Sequence, residues 1–400
     1  MKILKSLAAT FVCLLAFSNL NAQTKDWVTT WATALQIAEP HNNPPAPGLA
    51  DNSFRQIIQV SIPGKELRLN LSNFFNTDAT EIKGVEIAVA KTMGESPEIF
   101  EETSRELTYK GQRSFTMEPG QSVTMDPVKF KVDQRMNLAI TIHYGKISAT
   151  RVTSHPGSRT TSYIAAGNTT DFSAPVAKTD HWYTISSIDV KPLRKSAAIC
   201  VIGDSITDGR GTTTNRQNRW TDQLSRSLLQ DKKTRNLSVL NFGLGGNCVL
   251  RGGLGPTAKD RYQRDLFGQC GAKYVIIFEG TNDLGGSRDG KKTAEGIIEV
   301  YSQIIEEAHA KGMKVFGATV MPVKGNGYYS PDHEAGRQML NEWIRNGGAF
   351  DGVIDFDLVT RDASDPERLD PKHLYENDWL HANAACYELM GFSIDHSLFR

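Results

Sequence analysis

Near Arg194 the apolar rhythm of the chain changes, and that change limits the folds open to it. From about Trp27 to Lys191 apolar and polar residues alternate. Leu67-Arg-Leu-Asn-Leu-Ser72 and Val128-Lys-Phe-Lys-Val132 are clear instances, and Arg55 to Ile62 and Leu138 to Ile142 follow the same rule. A strand turns successive side chains to opposite faces, so a period of two fits strands with one wet face. Pro63-Gly64, Glu118-Pro-Gly120 and Asn168 punctuate the runs. Short strands between turns, with no long helical pattern, predict a β-sandwich. The proline-bearing stretch from Glu39 to Asn52 reads as a loop.

Beyond Arg194 the strands read as continuous apolar runs, as strands buried on both faces do. They are Ala197 to Ile202, Ser238 to Phe242, Tyr274 to Phe278, Val315 to Val320 and Val353 to Phe356. Helical patterns lie between them. The clearest sets Ile297, Ile298, Tyr301, Ile304, Ile305 and Ala308 on one face. Strands alternating with helices predict a parallel sheet covered on both sides, with ligands at the carboxyl ends of its strands.

The amino terminus reads as an address. Lys2 and Lys5 precede an apolar segment from Leu7 to Phe17, and small Ala22 precedes Gln23. That pattern predicts a secretory signal peptide over 1–22, because the apolar stretch falls well short of the roughly 20 residues of a spanning helix. Cys13 lies inside the apolar segment, without the small residue just before it that a lipoprotein site would have. The expected product is exported, periplasmic or extracellular, without a membrane span. Domains are then expected over 23–195, the β-sandwich, and 196–400, the α/β domain. The chain carries 45 Lys+Arg and 45 Asp+Glu, a net charge of zero. A balanced chain has no field to gather nucleic acid or anionic membrane.

Export would permit disulfides among Cys200, Cys248, Cys270 and Cys386. Cys248 and Cys270 flank one helix and are the favoured pair, against four unpaired thiols. No Cys/His cluster has zinc spacing, so neither a metal nor another cofactor is expected. Three Asn-x-Ser/Thr triplets, at Asn70, Asn168 and Asn236, are of a kind that arises often by chance.

Polar clusters follow the apolar runs. The first run leads into Gly203-Asp-Ser-Ile-Thr-Asp-Gly209. A serine just past a buried strand is a candidate nucleophile, although the same heptapeptide could be a turn and helix cap. It is not a G-x-S-x-G elbow, because Thr207 stands where the second glycine belongs. The second run leads to Asn241-Phe-Gly-Leu-Gly-Gly-Asn247, whose glycines allow backbone N–H groups close to a ligand. The third ends in Gly280-Thr-Asn-Asp283, where an Asn amide can donate to a developing oxyanion. Asp204 and Asp283 within these blocks are expected to brace their loops. Near the carboxyl end, Asp378-Trp-Leu-His381 spaces a carboxylate to hold one imidazole nitrogen and leave the other as a base. Asp370-Pro-Lys-His373 has the same spacing, but sits in a charged loop with nothing regular to fix it. Asp378 and His381 are therefore preferred.

These four blocks in this order resemble the SGNH (GDSL) hydrolase family over about 205 residues, from Ala197 to the end. The resemblance implies a flavodoxin-like α/β/α fold preceded by the β-sandwich, and metal-free ester hydrolysis. It further implies Ser205 as nucleophile, His381 as general base and Asp378 as its orienting acid. The oxyanion hole would be the Ser205 N–H, the Gly246 N–H and the Asn282 side chain, with Gly245 competing for the glycine role. Ala382 stands where the family often has proline, which alters only the start of a helix.

The resemblance also implies a secreted carbohydrate esterase acting on a small ester or acetylated glycan, with O-acetyl groups favoured. The alternatives are a lysophospholipase or short-chain carboxylesterase, and a glycan-binding protein with an inactive hydrolase domain. Trp27, Trp31 and Trp182 could stack on sugar rings but read better as sandwich core. Tyr328 and Tyr329, after the fourth run, are further candidates for substrate contact. Lys291-Lys292 reads as a solvated helix start. Oligomeric state is not legible.

Overall fold

The computed structural model describes residues 26–400. The predicted signal segment 1–22, with Cys13, lies outside the described residues.

The carboxyl-terminal half is a parallel sheet. Its strands run Ala197–Gly203, Leu237–Gly243, Ala272–Phe278, Lys314–Ala318 and Gly352–Ile354. In space the second strand lies outside the first, and the third, fourth and fifth follow on the other side. This is the flavodoxin-like order, which reverses between the first and third strands and opens a crevice at their carboxyl ends. Both faces are covered. The Gly290–Ala310 helix buries Ile297, Val300, Tyr301, Ile304, Ile305 and Ala308. Val300 takes the place in that stripe read for Ile298, which is only half-buried. On the other face, the Trp220–Leu229 and Ala384–Ser393 helices pack with Ile199, Val201 and Phe278 into one cluster.

The amino-terminal half is antiparallel. One sheet joins Val28–Ala32, Ile185–Pro192, Gly64–Ser72 and Ser122–Thr124, with Val128–Val132 also on Gly64–Ser72. A second sheet centres on Ser53–Gln59, Asn137–Tyr144 and Thr80–Val89. Leu67, Leu69 and Leu71 alternate inward from the first sheet, and Ile140 and Ile142 join them from the second, all fully buried. Trp27, Trp31 and Trp182 are buried too. Trp31 and Trp182 meet edge to face, 5.1 Å apart, so these rings are core rather than sugar platforms.

The two halves share a tight seam. Thr33 bridges Asn241 beside the outer parallel strand. The Thr29 N–H donates to the Cys270 carbonyl at 2.9 Å, and the Ser238 hydroxyl to the Thr29 carbonyl at 2.6 Å. The sandwich thereby covers an edge that would otherwise expose unpaired backbone groups.

The favoured Cys248–Cys270 bridge is absent, and all four described cysteines are free. Cys270 Sγ is turned toward Arg68 Nη2, 3.3 Å away, on the sandwich side of the seam. Cys248 is buried under Gly253, and burial pushes its thiol up to about 12. No helix among the described residues is long and apolar enough to cross a membrane.

Candidate active site

Ser205 begins a short helix, Ser205–Asp208, directly after the first parallel strand. The Asp204 carboxylate accepts from the Ile206 N–H at 2.9 Å and caps the turn. Close packing explains the small residues around it. A Cβ on Gly203 would lie 2.6 Å from the Phe278 carbonyl oxygen, and one on Gly243 would lie 2.1 Å from the Asp208 nitrogen. The glycine-rich turn is thus pressed onto the serine turn.

His381 reaches the serine from the far end of the chain. Its Nε2 lies 2.9 Å from Ser205 Oγ. Its Nδ1 lies 2.6 Å from Asp378 Oδ2. The other Asp378 oxygen accepts the N–H groups of Leu380 and His381, at 2.9 and 2.8 Å. The carboxylate therefore holds both the imidazole and the turn that carries it. Asn326 donates to the Asp378 carbonyl at 2.7 Å. Glu376, Asn377 and Trp379 all take left-handed backbone conformations, so this turn is held against local preference by its contacts. Burial, the largest influence, pushes the His381 imidazole below its ordinary value, against the opposing pull of Asp378. Burial also pushes Asp378 upward, but its hydrogen bonds outweigh that and leave its carboxyl below the usual value.

Asn282 follows the third parallel strand across the crevice from Ser205. Its amide nitrogen donates to the Asn247 carbonyl at 2.8 Å. An amide has two N–H donors, so one is left to point elsewhere. The Tyr328 hydroxyl donates to Asn282 Oδ1 at 3.2 Å and fixes which way the amide faces. Gly246 sits beside Asn247 with φ of 67°, a conformation that favours glycine, whereas Gly245 is not in that region. Among the described residues, neither the Ser205 N–H nor the Gly246 N–H donates a hydrogen bond to the protein. Ser205, Asp378 and His381 are thus aligned, while Asn282 and Gly246 are joined through Asn247.

Beneath the crevice lies machinery that sequence reasoning missed. Arg261, fully buried, donates to the Phe242 and Gly203 carbonyls at 2.6 and 3.0 Å and to Asn247 Oδ1 at 3.0 Å. One guanidinium therefore ties together the ends of two strands and the glycine turn. Asp283 does the same from the third strand, accepting from the Val249 and Leu250 N–H groups at 2.7 and 2.9 Å. Burial raises Asp204 to about 7 and Glu279 to about 8. Arg261 has no motif around it. Only its place in a helix facing the strand ends could have marked it.

The sandwich also reaches this region. His155 Nε2 lies 3.0 Å from Asp208, the last residue of the serine helix, and its Nδ1 lies 2.9 Å from the Ala34 carbonyl. Arg219 donates to the Asp208 carbonyl at 2.9 Å and to the Gly157 carbonyl at 3.3 Å. Tyr328 and Tyr329, the further candidates for substrate contact, each also hold a partner within the protein. Tyr328 orients Asn282, and Tyr329 donates to Glu367 at 2.7 Å. The second Asp-x-x-His is also accounted for, since Asp370 caps the Lys372 N–H at 3.1 Å and His373 is buried.

A flavodoxin-like domain with Ser, His and Asp aligned at its switch point has the architecture of a serine-type hydrolase. Residues 201–389 match the profile of the GDSL-like Lipase/Acylhydrolase family. The carboxyl-terminal domain belongs to that ester-hydrolase family. No curated protein matches the chain. Among solved structures, a lipolytic protein of the G-D-S-L family from Desulfitobacterium hafniense is 20% identical, covering 50% of this chain and 97% of its own, with a TM-score of 0.38. A GDSL-like lipase from Bacteroides thetaiotaomicron is 19% identical, covering 52% and 90%, with a TM-score of 0.37. An acetylxylan esterase from Geobacillus stearothermophilus is 18% identical, covering 50% and 94%, with a TM-score of 0.37. Likenesses this distant carry no information about substrate.

Proposed function

We propose that this chain hydrolyses carboxylic esters with Ser205 as nucleophile, and that its natural substrates are O-acetyl groups on a glycan. The observation that carries the reading is the unbroken line from Ser205 Oγ to His381 Nε2, 2.9 Å, and from His381 Nδ1 to Asp378 Oδ2, 2.6 Å. A serine hydroxyl at its free pKa is a poor nucleophile and needs a base within hydrogen-bond reach. As Oγ attacks the carbonyl carbon, its proton passes to Nε2, and Asp378 stabilises the imidazolium that results. The carbonyl oxygen takes up the displaced electron pair. The N–H groups of Ser205 and Gly246 and the free amide hydrogen of Asn282 then meet that charge. Collapse expels the alcohol, which takes the proton from His381 and leaves an acyl-serine. Water, deprotonated by the same histidine, releases the acid and restores the serine. Gly246 rather than Gly245 takes the glycine role, supported by its left-handed backbone and its place beside Asn247.

A glycan ester is favoured over a long-chain lipid by the walls beside the glycine turn. They carry His41, Asn42, Arg159, His181 and Arg210, hydrogen-bonding groups suited to sugar hydroxyls, beside the apolar Leu244 and Leu254. Domains over 23–195 and 196–400, and export directed by residues 1–22, complete the proposal.

The test is hydrolysis of p-nitrophenyl acetate, butyrate and octanoate by the mature chain and its Ser205→Ala variant. Acetate cleaved best, and only by the parent, is the expected result. A preference for octanoate would favour the lipid reading instead. No turnover of any ester, acetylated glycans included, would point to a binding protein on a hydrolase scaffold.

A further inference from the structure

Between the two domains lies a cleft of roughly 320 Å³ that reaches the glycine turn. Gly245 and Leu254 form part of its wall. Leu254 leans over Gly246, so that a Cβ there would lie 3.1 Å from the leucine. The cleft therefore adjoins the oxyanion glycine. Two guanidinium groups enter it from opposite domains. Arg159 comes from the sandwich loop after the Thr153–His155 strand, and Arg210 from the loop after the serine helix.

Neither guanidinium is used up by the protein. Arg159 Nε is buried without a hydrogen-bond partner among the described residues, and the nearest carboxylate approach, to Asp208 Oδ2, is 3.8 Å. Arg159 is also held with φ of 52°, and its carbonyl accepts from the Asn215 N–H at 2.9 Å. That conformation costs a non-glycine residue about 1 kcal/mol, so the loop is fixed by its contacts. Arg210 is exposed and rests 5.8 Å from the Tyr375 ring, and its side chain makes no ion pair among the described residues. The carboxylates nearby are already engaged. Glu39 accepts from the Gln36 and Asn42 amides, and Asp208 meets His155. Asp180 stands at the rim, 3.9 Å from His181. A guanidinium is a planar fork of donors that matches an oxyanion, and here two of them share one cleft, Arg159 with only the 3.8 Å approach to Asp208 and Arg210 with no ion pair among the described residues.

We infer that this cleft is a subsite for an anionic group on the substrate, a sugar carboxylate, and that Arg159 and Arg210 select O-acetylated acidic sugars over neutral ones. The inference rests on the ester hydrolysis proposed above and names its substrate class. It gives the sandwich a role in specificity, since half of the subsite belongs to it. Both arginines also push the His381 imidazole down, so an anion bound between them offsets that influence and strengthens the base.

The experiment measures acetate released from an O-acetylated oligogalacturonide, from the same compound with its carboxyls methyl-esterified, and from an acetylated sulfated sugar without carboxyls. The parent should favour the free acid in kcat/KM by ~10- to 100-fold, the span of a charge-assisted hydrogen bond or two. Added salt should erode that preference. Arg159→Gln and Arg210→Gln should each collapse the ratio toward one, mainly through KM, and Arg210→Lys should recover part of it. Equal turnover of free acid and methyl ester by the parent overturns the inference, and that comparison needs no variant to fold. Variants that slow both substrates alike also overturn it, and preference for the sulfated sugar overturns the carboxylate assignment. If p-nitrophenyl acetate is cleaved without such discrimination, only the subsite fails. If no ester is cleaved, the hydrolase reading fails with it.

Discussion

The molecule holds two His–Asp pairs at either end of the serine helix, one half-buried and one buried, and only the first faces a nucleophile. In the first, His381 gives Nδ1 to Asp378 and turns Nε2 to Ser205 Oγ. In the second, His155 sets Nε2 3.0 Å from Asp208 and turns Nδ1 to the Ala34 carbonyl. The partners decide what each imidazole can do. A ring between a carboxylate and a hydroxyl can keep one nitrogen unprotonated and accept a proton. A ring between a carboxylate and a carbonyl meets acceptors on both sides, and no nucleophile faces it. His155 also stacks on Trp182, 5.6 Å between centroids, so it is built into the sandwich core. A His–Asp pair is thus a catalytic unit only when its second nitrogen is spent on chemistry rather than on structure.

Substitutions can break this comparison. The largest effect belongs to the first pair. Ser205→Ala and His381→Ala should each lower kcat on p-nitrophenyl acetate by ~10⁴- to 10⁶-fold, with the melting temperature little changed, because these residues act as one unit. For the second pair the expectation is reversed. His155→Ala leaves Asp208 buried without its imidazole, and breaking a buried pair costs about 3–5 kcal/mol. Denaturant unfolding should show that loss, and turnover per folded molecule should fall far less. A fully stable His155→Ala protein without turnover would move His155 into the chemistry.

Smaller effects sharpen the same contrast between acting and positioning. Asn282→Ala should lose ~100- to 1000-fold in kcat, the cost of one oxyanion donor. Tyr328→Phe removes only the hydroxyl that orients Asn282, so kcat should fall by ~3- to 10-fold with KM nearly constant. Equal losses in the two variants would make Tyr328 more than an orienting group. The smallest effect concerns pH. The proposed base, His381, would act as neutral imidazole, and it lies below its ordinary 6.5 chiefly through burial. Its active form therefore persists to lower pH, and the acid limb of kcat/KM should fall below 6.5. Asp378 supports the protonated form, so Asp378→Asn should push that limb lower still while reducing the rate. An acid limb above 6.5 in the parent would contradict this environment for His381.

Much of the fold could be read directly from residue patterns. Alternation in Leu67 to Ser72 and continuous apolar runs such as Ala197 to Ile202 report whether a strand has one buried face or two, and that is a local property. Strand-end blocks are legible for the same reason. Asp204 capping Ile206 and Asp378 holding the His381 turn are contacts over two or three residues, which short-range spacing can encode. The Asp370 and His373 pair shows the limit, because the same spacing was put to use as a cap.

The sequence by itself determined the two rhythms, the order of the blocks along the chain, the strand ends at which Ser205, the glycine turn and Asn282 emerge, and the local pairing of Asp378 with His381. Tertiary structure alone decided that Tyr328 orients Asn282, that Arg261 binds two strand ends, that Cys248 and Cys270 stay apart, and that the sandwich lends His155 and Arg159 to the border of the site. The physical reason is range. Hydrogen bonds within a turn follow from neighbouring residues, whereas contacts across tens or hundreds of residues exist only once two sheets have packed and their loops share one cleft.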